Sequence, residues 1–422
     1  MKRLAFPTGF NRTRLACYTA YFTMSSIFCI PPLLFMTFHE LYGVSYTLLG
    51  TLVLTNFCTQ LGVDLLLTAF SKYFNTRLVV RIMPIITSVG LLTYALIPTL
   101  FPTAAYAGLL IGTVIFSVSA GLSEVLLSPV IAAIPSDNPQ RDMSMLHSLY
   151  AFGVVAMVLI GTLFLKLFDA RNWMILVILL AFLPLIAAIL FMLSPMPDMS
   201  PSSDSQPSAD SSHKRTVGLA LCVACIFFGS CAENAMSNWI SGYMENALGI
   251  DKALGDVLGV AGFAVLLGIA RISYAKFGKN ICRVLLIGMI GSAVCYLIVG
   301  LSPSVPLSFA ACVLTGLFTA MLWPGTLIMM EEKIPYAGVT AFALMASGGD
   351  LGASLAPQLM GIVIDRVSVT SWAAELGQSL QMTAEQIGLK VGMLVTAVFP
   401  IIGTFVILFI IRYFKVEQRH KH

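Results

Sequence analysis

The stretch WMILVILLAFLPLIAAILFMLS at residues 173–194, followed by PMPDMSPSSDSQPSADSSHKR at residues 195–215, decides the fold of this chain. The first stretch carries no charge and is long enough to cross a bilayer core of about 30 Å, which needs about 20 apolar residues. The second is too rich in Ser, Pro and Asp to bury a core, so it is interpreted as a disordered linker. Because the linker falls mid-chain, it predicts an all-α membrane protein with one helical bundle on each side.

The composition of the whole chain agrees with a membrane protein. Of its 422 residues, 58% are hydrophobic and 10% are charged, and the mean hydropathy is +0.90. Soluble domains have about 25% charged residues, so an ordinary soluble protein is excluded. The 24 Lys and Arg against 20 Asp and Glu form no basic run, so no nucleic-acid partner is predicted. The nine cysteines fall in or beside apolar stretches, where they are interpreted as small buried hydrophobes and not as metal ligands.

Apolar runs separated by charged or Gly/Pro-rich breaks predict twelve transmembrane spans. They lie near residues 15–38, 46–70, 78–98, 104–134, 143–168, 173–194, 217–241, 253–273, 284–302, 306–330, 339–364 and 384–412. The predicted domains are therefore a six-helix bundle at 1–194, a cytoplasmic linker at 195–215 and a second six-helix bundle at 216–422. The loop at residues 365–383 is either a short surface helix or a plain connector, and Thr383 with Gln386 predicts a capping box for the last span.

The basic residues give the orientation in the membrane. With both termini in the cytoplasm, 18 of the 24 Lys and Arg face that side and 5 face the other, with Arg271 inside a span. The positive-inside rule therefore predicts cytoplasmic termini for a multi-pass protein of the plasma membrane. Arg12 and Arg14 precede an apolar stretch that is too long for a signal-peptide core, so this stretch is predicted to be a retained first span. The protein is expected to be a monomer.

An ionisable side chain within a span is a functional candidate, because leaving it unpaired in lipid costs several kcal/mol. The candidates well inside spans are Asp64, Glu124, His147, Glu233 and Asp350, and all of them except Asp64 are candidates for proton coupling. In the fourth span Glu124 lies near mid-membrane on the same face as Ser117, which is a candidate contact for the substrate. Since low polarity penalises its charged form, Glu124 is predicted to bind and release a proton. The alternative is a protonated glutamate that only joins two helices.

The seventh span repeats this pattern of polar residues on one face. Glu233 and Asn234 share that face with three serines, and Asn238 lies beside it. Amides and hydroxyls next to a carboxyl group form a hydrogen-bonding wall that suits a polyhydroxylated ligand. Trp239 is either a stacking surface for that ligand or an anchor at the membrane interface.

The remaining polar positions are assigned to the contact between the halves, to proton relay or to the ligand. Asn56, Gln60 and Asp64 form a stripe on the second span, which predicts a gating contact between bundles. Asp350 and Gln358 form a stripe on the eleventh span. Asp350 is a candidate either for proton coupling or for a structural bond at the contact between the halves, and Gln358 is a candidate for ligand binding. His147 is a proton relay or an interfacial residue. The last candidates are a cytoplasmic lock of Arg271 with Glu331 or Glu332, and a ligand platform with a helix kink at Trp323-Pro324.

Six spans on each side of a linker give this chain a resemblance to the major facilitator superfamily. The segment Gly121-Leu-Ser-Glu124-Val-Leu-Leu-Ser-Pro129 resembles the fucose/galactose/glucose-proton symporter branch. Leu146-His147, and Glu233 followed by Trp239 and Tyr243, are similar to the same branch. The resemblance implies that Glu124 carries the coupling proton and that Glu233, Asn234 and Asn238 contact the sugar.

Charge restricts the substrate further. No Lys or Arg lies deep in a cavity-facing stripe, so an anionic solute has no evident counter-charge, and neutral hydroxyl-rich ligands or cations are favoured. No phosphate-binding loop is present, and an enzyme is not expected. The sequence predicts a proton-coupled symporter for a sugar or similar small polar neutral solute, with no cofactor, no metal, and Na⁺ as the alternative coupling ion. The second hypothesis is a proton-coupled antiporter that exports organic cations or drugs.

Overall fold

The computed structural model of the chain describes residues 10–70, 75–136, 139–197, 212–334 and 338–419. Every regular element in these ranges is a helix. The α-helices are α1 (Phe10–Tyr42), α2 (Tyr46–Phe70), α3 (Thr76–Leu100), α4 (Ala105–Ala133), α5 (Pro139–Phe168), α6 (Trp173–Ala181), α7 (Leu183–Met192), α8 (Ser212–Gly242), α9 (Lys252–Leu254), α10 (Ala261–Phe277), α11 (Ile281–Leu301), α12 (Val305–Thr319), α13 (Leu322–Lys333), α14 (Gly338–Ser368), α15 (Ser371–Leu380), α16 (Ala384–Thr396) and α17 (Val398–Arg419). Short 3-10 helices occur at Pro102–Ala104 and Ala170–Asn172, and π-helices at Tyr243–Ala247 and Gly255–Val260.

Each of the twelve predicted spans coincides with helix, which confirms the predicted all-α membrane fold. Ten helical stretches in the described ranges are long and apolar enough to cross a bilayer, and Phe152–Phe168 is a shorter apolar one. Three spans are interrupted, between α6 and α7, between α12 and α13, and between α16 and α17. Pro184, Pro324 and Pro400 follow these interruptions within four residues. A proline removes the N–H that would bond to the carbonyl four residues earlier, so it weakens the helix at these points.

The chain divides into two compact units, of which unit 1 contains residues 1–43 and 58–204 and unit 2 contains residues 44–57 and 205–422. The sequence interpretation put 44–57 in the first bundle, but these residues pack closely on α14. A Cβ atom on Gly361 would lie 2.3 Å from the carbonyl oxygen of Tyr46, and one on Gly50 would lie 2.9 Å from the Cα of Gln358. Of the predicted linker, residues 198–211 lie outside the described residues, and 212–215 belong to the first turn of α8.

Unit 1 is organised around the crossing of α3 and α4. A Cβ atom on Gly112 would lie 2.6 Å from the backbone nitrogen of Tyr94, so the two helices touch through their backbones. The Tyr94 ring lies 5.8 Å from the Phe38 ring and 6.2 Å from the Trp173 ring, and all three side chains are fully buried. Aromatic rings at such edge-to-face distances stabilise a core beyond their buried area.

Unit 2 is organised around α8, whose described side chains from residue 221 to residue 242 are all buried or half-buried. A Cβ atom on Gly352 would lie 2.3 Å from the carbonyl oxygen of Phe227, so α14 crosses α8 at backbone contact. The Tyr296 hydroxyl in α11 donates to the Ala232 carbonyl at 2.8 Å. These contacts fix the rotation of α8 and therefore the direction in which its polar face points.

The loop before the last span contains the helix α15, so the short-helix interpretation is confirmed. The predicted capping box is also confirmed. The Gln386 backbone N–H donates to the Thr383 hydroxyl at 3.1 Å, and the Thr383 N–H donates to the Gln386 side chain at 2.9 Å.

Candidate functional site

Unit 1 places two carboxyl groups near each other inside the membrane-spanning region. Gly121 lies against α2, because a Cβ atom there would lie 3.0 Å from the Val63 Cβ and 3.2 Å from the Cα of Gln60. Asp64 is the residue after Val63 in α2, and Glu124 lies three residues after Gly121 in α4. The two carboxyl groups are therefore close enough to interact electrostatically. Both residues are half-buried. The sequence interpretation treated Asp64 only as a gating residue, because nothing in the sequence shows that α2 faces α4 at Gly121.

Glu124 has no ion-pair partner among the described basic side chains. Ser117, on the same predicted stripe, is fully buried and is not accessible to a ligand in this structure. The opposite side of α4 is bound to α3, where the Ser119 hydroxyl donates to the Met83 carbonyl and the Thr87 hydroxyl donates to Ser119 at 2.7 Å. Glu124 is the only acidic residue in the sequence of α4, and it is not part of the hydrogen bonds that join α4 to α3.

Unit 2 contains an ion pair that the sequence interpretation missed. One Nη of Arg271 in α10 lies 3.4 Å from Oε1 of Glu233 in α8. The Arg271 Nε donates to the Ala320 carbonyl at 2.9 Å, at the break between α12 and α13. Ala320 lies four residues before Pro324, which has no N–H to bond to it. The kink expected at Trp323-Pro324 therefore exists, and its freed carbonyl anchors an arginine.

The predicted lock of Arg271 with Glu331 or Glu332 is wrong for the described side chains. Both glutamates are exposed, and Arg271 bonds to Ala320 and Glu233. An exposed ion pair stabilises a protein by only about 0–1 kcal/mol. A carbonyl and a carboxyl group inside the membrane region are stronger hydrogen-bond acceptors for the arginine. The expectation that no Lys or Arg lies deep in a polar stripe is also wrong. The long Arg271 side chain reaches Glu233 on the polar face of α8.

The amides of α8 turn their N–H groups toward their own helix. The Asn234 amide donates to the Ser230 carbonyl at 3.1 Å, and the Asn238 amide donates to the Asn234 carbonyl at 2.8 Å. Neither amide oxygen accepts a bond from a described residue. The two amide oxygens therefore remain available as acceptors, which suits a ligand with hydroxyl donors.

Trp239 and Trp323 are packing residues in this structure, in contrast to their predicted contact with a ligand. Trp239 is fully buried, its Nε1 donates to the Pro357 carbonyl at 3.1 Å, and its ring centroid lies 5.8 Å from that of Tyr46. Trp323 is half-buried and packs over α14, where a Cβ atom on Gly349 would lie 2.3 Å from its ring. Neither orientation is visible in the sequence, because Trp239 bonds to a carbonyl of α14 and Trp323 packs against a glycine of α14.

The other predicted residues are mostly buried. Asn56, Gln60 and Asp350 are exposed by 7%, 1% and 4%. Gln358 is half-buried, and its Oε1 has no donor among the described residues. His147 lies in α5, but its side chain is outside the described residues.

Two further clusters of unit 2 contain residues that sequence reasoning did not single out. The Ser241 hydroxyl donates to Asp256, which is 1% exposed. Asp365, at the end of α14, accepts the N–H of Tyr46 at 3.1 Å and that of Thr47 at 2.6 Å, while the Tyr46 hydroxyl donates to Glu385. Asp365 therefore caps the amino terminus of α2 from another helix. Only a weak signal for this cap exists in the sequence, since an acidic side chain stabilises a helix amino terminus but rarely comes from so far along the chain.

Replacing Asp365 by Ala is expected to lower the stability of the protein by about 0.5–2 kcal/mol, as removal of a helix cap does. Two backbone N–H groups lose their acceptor, and Tyr46 is buried. Thermal unfolding of the detergent-purified protein measures the effect. Glu375→Ala, which removes an exposed acid of α15, is the control and should leave the melting temperature unchanged. Equal melting temperatures for both variants would contradict the capping role.

Membrane-spanning helices with carboxyl groups and an arginine in their interior are typical of membrane transport proteins. The sequence profile of the Major Facilitator Superfamily matches residues 16–357, and the chain belongs to this family. Comparison with curated protein sequences gives no match.

Solved structures of transporters share the fold. A bacterial homologue of the human lysosomal transporter Spinster, inward-facing and unoccupied, is similar with a TM-score of 0.75 at 14% identity, covering 96% of each chain. A D-xylose-proton symporter is similar with a TM-score of 0.73 at 15% identity, covering 92% of this chain and 96% of that one. The POT family transporter PepTSo is similar with a TM-score of 0.68 at 13% identity, covering 96% and 98%. At such identities the likeness shows the fold alone.

Proposed function

We propose that this protein is a proton-coupled symporter for a sugar or a similar small hydroxylated solute. The observation that carries the proposal is the close approach of α2 and α4 at Gly121, which brings Asp64 near Glu124 inside the membrane region. Two carboxylates in a medium of low polarity repel each other strongly, so one proton held by the pair removes a large unfavourable energy. Such a pair is suited to take up a proton from one side and release it to the other.

The ligand class is supported by the polar face of α8. Its carboxyl group and two amide oxygens are acceptors that a hydroxylated solute can satisfy with several O–H donors. The fold likeness to a D-xylose-proton symporter is consistent with this assignment. Transport follows alternating access, with H⁺ as the coupling ion and Na⁺ as the alternative, in a monomer of the plasma membrane whose termini are cytoplasmic.

A second candidate is a proton-coupled antiporter for organic cations. It is favoured by the same two carboxyl groups, since Glu124 has no ion-pair partner among the described basic side chains and can serve as a counter-charge. It is disfavoured by Arg271, whose positive charge lies beside Glu233. The two functions predict opposite proton movements when substrate is added.

The test is the internal pH of proteoliposomes, recorded with a trapped dye while sugars, polyols, amines and carboxylates are added outside. We expect acidification with at least one sugar and no change in protein-free liposomes. Alkalinisation by amines would establish the antiporter instead. Uptake of labelled solute that requires external Na⁺ and leaves the internal pH unchanged would assign the coupling to sodium.

A further inference from the structure

The ion pair of Glu233 with Arg271 is incomplete in a specific way. Only one Nη of Arg271 contacts Glu233, at 3.4 Å, and the other makes no bond to a described residue. On the other side of the pair, Oε2 of Glu233 is buried and has no donor among the described residues. An arginine–carboxylate pair usually forms two parallel bonds, so this pair retains one free donor group and one free acceptor.

Arg271 does not face lipid. Apart from Phe277, its last residue, the exposed large apolar residues of α10 are Val265, Ile269 and Ile272, with exposures of 45%, 52% and 60%. On a helix of 3.6 residues per turn they form one stripe, and Arg271 lies about 130° away from its centre. Its side chain is nevertheless 40% exposed. The guanidinium group therefore reaches open space on the inner side of α10.

The orientation of Arg271 is set by the break in the tenth span. Its Nε is held by the Ala320 carbonyl, which is available because Pro324 has no N–H. A guanidinium group fixed at Nε points both Nη groups in set directions, which a lysine cannot reproduce. The position of the charge beside Glu233 thus depends on a proline in a third helix.

We propose that Arg271 is a positioning residue that orients Glu233 as a hydrogen-bond acceptor, and that the pair binds two adjacent hydroxyl groups of a neutral solute. One hydroxyl donates to Oε2 of Glu233, and its neighbour accepts from the free Nη of Arg271. Asn234 and Asn238 add two more amide oxygens as acceptors on the same helix. The inference rests on the proposed function and narrows its ligand to a solute with a vicinal diol.

Arg271 also sets the preference of the site for hydroxyl groups over ammonium groups. With both residues charged, the pair is neutral overall and a cationic ligand meets the positive guanidinium group. Without Arg271, the carboxyl group of Glu233 is left with no counter-charge, and a cation supplies one. Loss of the arginine should therefore change the ligand preference of the site, and not only the stability of the protein.

The experiment measures equilibrium binding by calorimetry on detergent-purified protein. The sugar probes are D-glucose, D-galactose, L-fucose and D-xylose, and choline is the cationic probe. Arg271→Gln is expected to weaken binding of the preferred sugar by about tenfold or more, because hydrogen bonds to charged groups are lost, and to give measurable choline binding. Arg271→Lys keeps the charge without the two-point geometry and should lie between wild type and Arg271→Gln.

A second variant tests the anchoring of Arg271 without changing any charge. Pro324→Ala supplies an N–H for the Ala320 carbonyl, so this N–H competes with Nε of Arg271. The Pro324→Ala variant should shift the sugar-to-choline preference in the same direction as Arg271→Gln. Pro98→Ala in α3 is the matched control, since it restores a helix N–H in unit 1 and should leave the preference as it is.

The outcomes separate the inference from the function on which it rests. If the wild type binds a sugar and Arg271→Gln keeps the same sugar-to-choline preference, the role of Arg271 is overturned while the proposed function stands. If the wild type binds none of the four sugars, the proposed function and the diol ligand fail together. Binding of 2-deoxy-D-glucose and D-glucose with equal affinity in every variant would overturn the diol assignment at that pair of hydroxyls.

Discussion

Replacing Glu124 by Gln is expected to abolish solute accumulation driven by a proton gradient, while exchange of solute across the membrane continues. Glutamine has the shape of the protonated carboxyl group but cannot release a proton, so the variant is fixed in the proton-loaded form. Asp64 then has no acidic neighbour at position 124 with which to share a proton. Accumulation should fall to equilibration with the external concentration, which is a complete loss of coupling.

The measurement compares two assays on the same proteoliposomes. Uptake of labelled solute under an imposed pH gradient reports coupling, and counterflow without a gradient reports binding and the conformational change. Glu40→Gln is the matched control, since it removes an exposed glutamate of α1 in the same unit and should keep both activities. Accumulation at the wild-type level in Glu124→Gln would exclude Glu124 as the proton carrier, and loss of both activities would indicate a structural role.

The parts of the fold that are set locally could be predicted from the sequence. The spans follow from hydropathy over about 20 residues, and the capping box follows from a hydroxyl and an amide three residues apart. The polar face of α8 follows from helical periodicity, and Glu124 was singled out by its depth in a span. Each of these features depends on one segment of chain.

The partners of the charged residues could not be predicted, because they depend on which helices are neighbours. Asp64 interacts with Glu124 because Gly121 lets α2 approach α4. Arg271 reaches Glu233 because Pro324 frees a carbonyl to which the arginine binds. The sequence does show that Pro324 leaves the Ala320 carbonyl without a helical donor, but it does not show which side chain supplies the bond.

The second large effect is expected from adding one methyl group at Gly90, where α3 crosses α4. A Cβ atom there would lie 2.5 Å from the backbone nitrogen of Phe116 and 2.9 Å from its Cα. Backbone atoms of a helix cannot turn aside as a side chain does, so the two helices must move apart. Gly90→Ala is expected to lower the stability of the protein by about 1–3 kcal/mol, the usual effect of overpacking.

Gly62→Ala provides a matched control in the same unit. A Cβ atom at Gly62, within α2, would have no atom within 4 Å. Alanine favours the helix over glycine by about 1 kcal/mol, so this variant should be as stable as the wild type or more stable. Thermal unfolding in detergent compares the two. Similar melting temperatures for Gly90→Ala and Gly62→Ala would contradict the close crossing of α3 and α4.

The same crossing connects stability with transport. Glu124 lies on α4 eight residues after Phe116, and the Ser119 hydroxyl between them is bound to α3 through the Met83 carbonyl. A displacement of α4 at Gly90 therefore moves Glu124 relative to Asp64. Gly90→Ala should reduce proton-driven accumulation even well below its melting temperature, whereas Gly62→Ala should not. Full coupling in Gly90→Ala at low temperature would show that the distance between the two carboxyl groups does not limit the transport cycle.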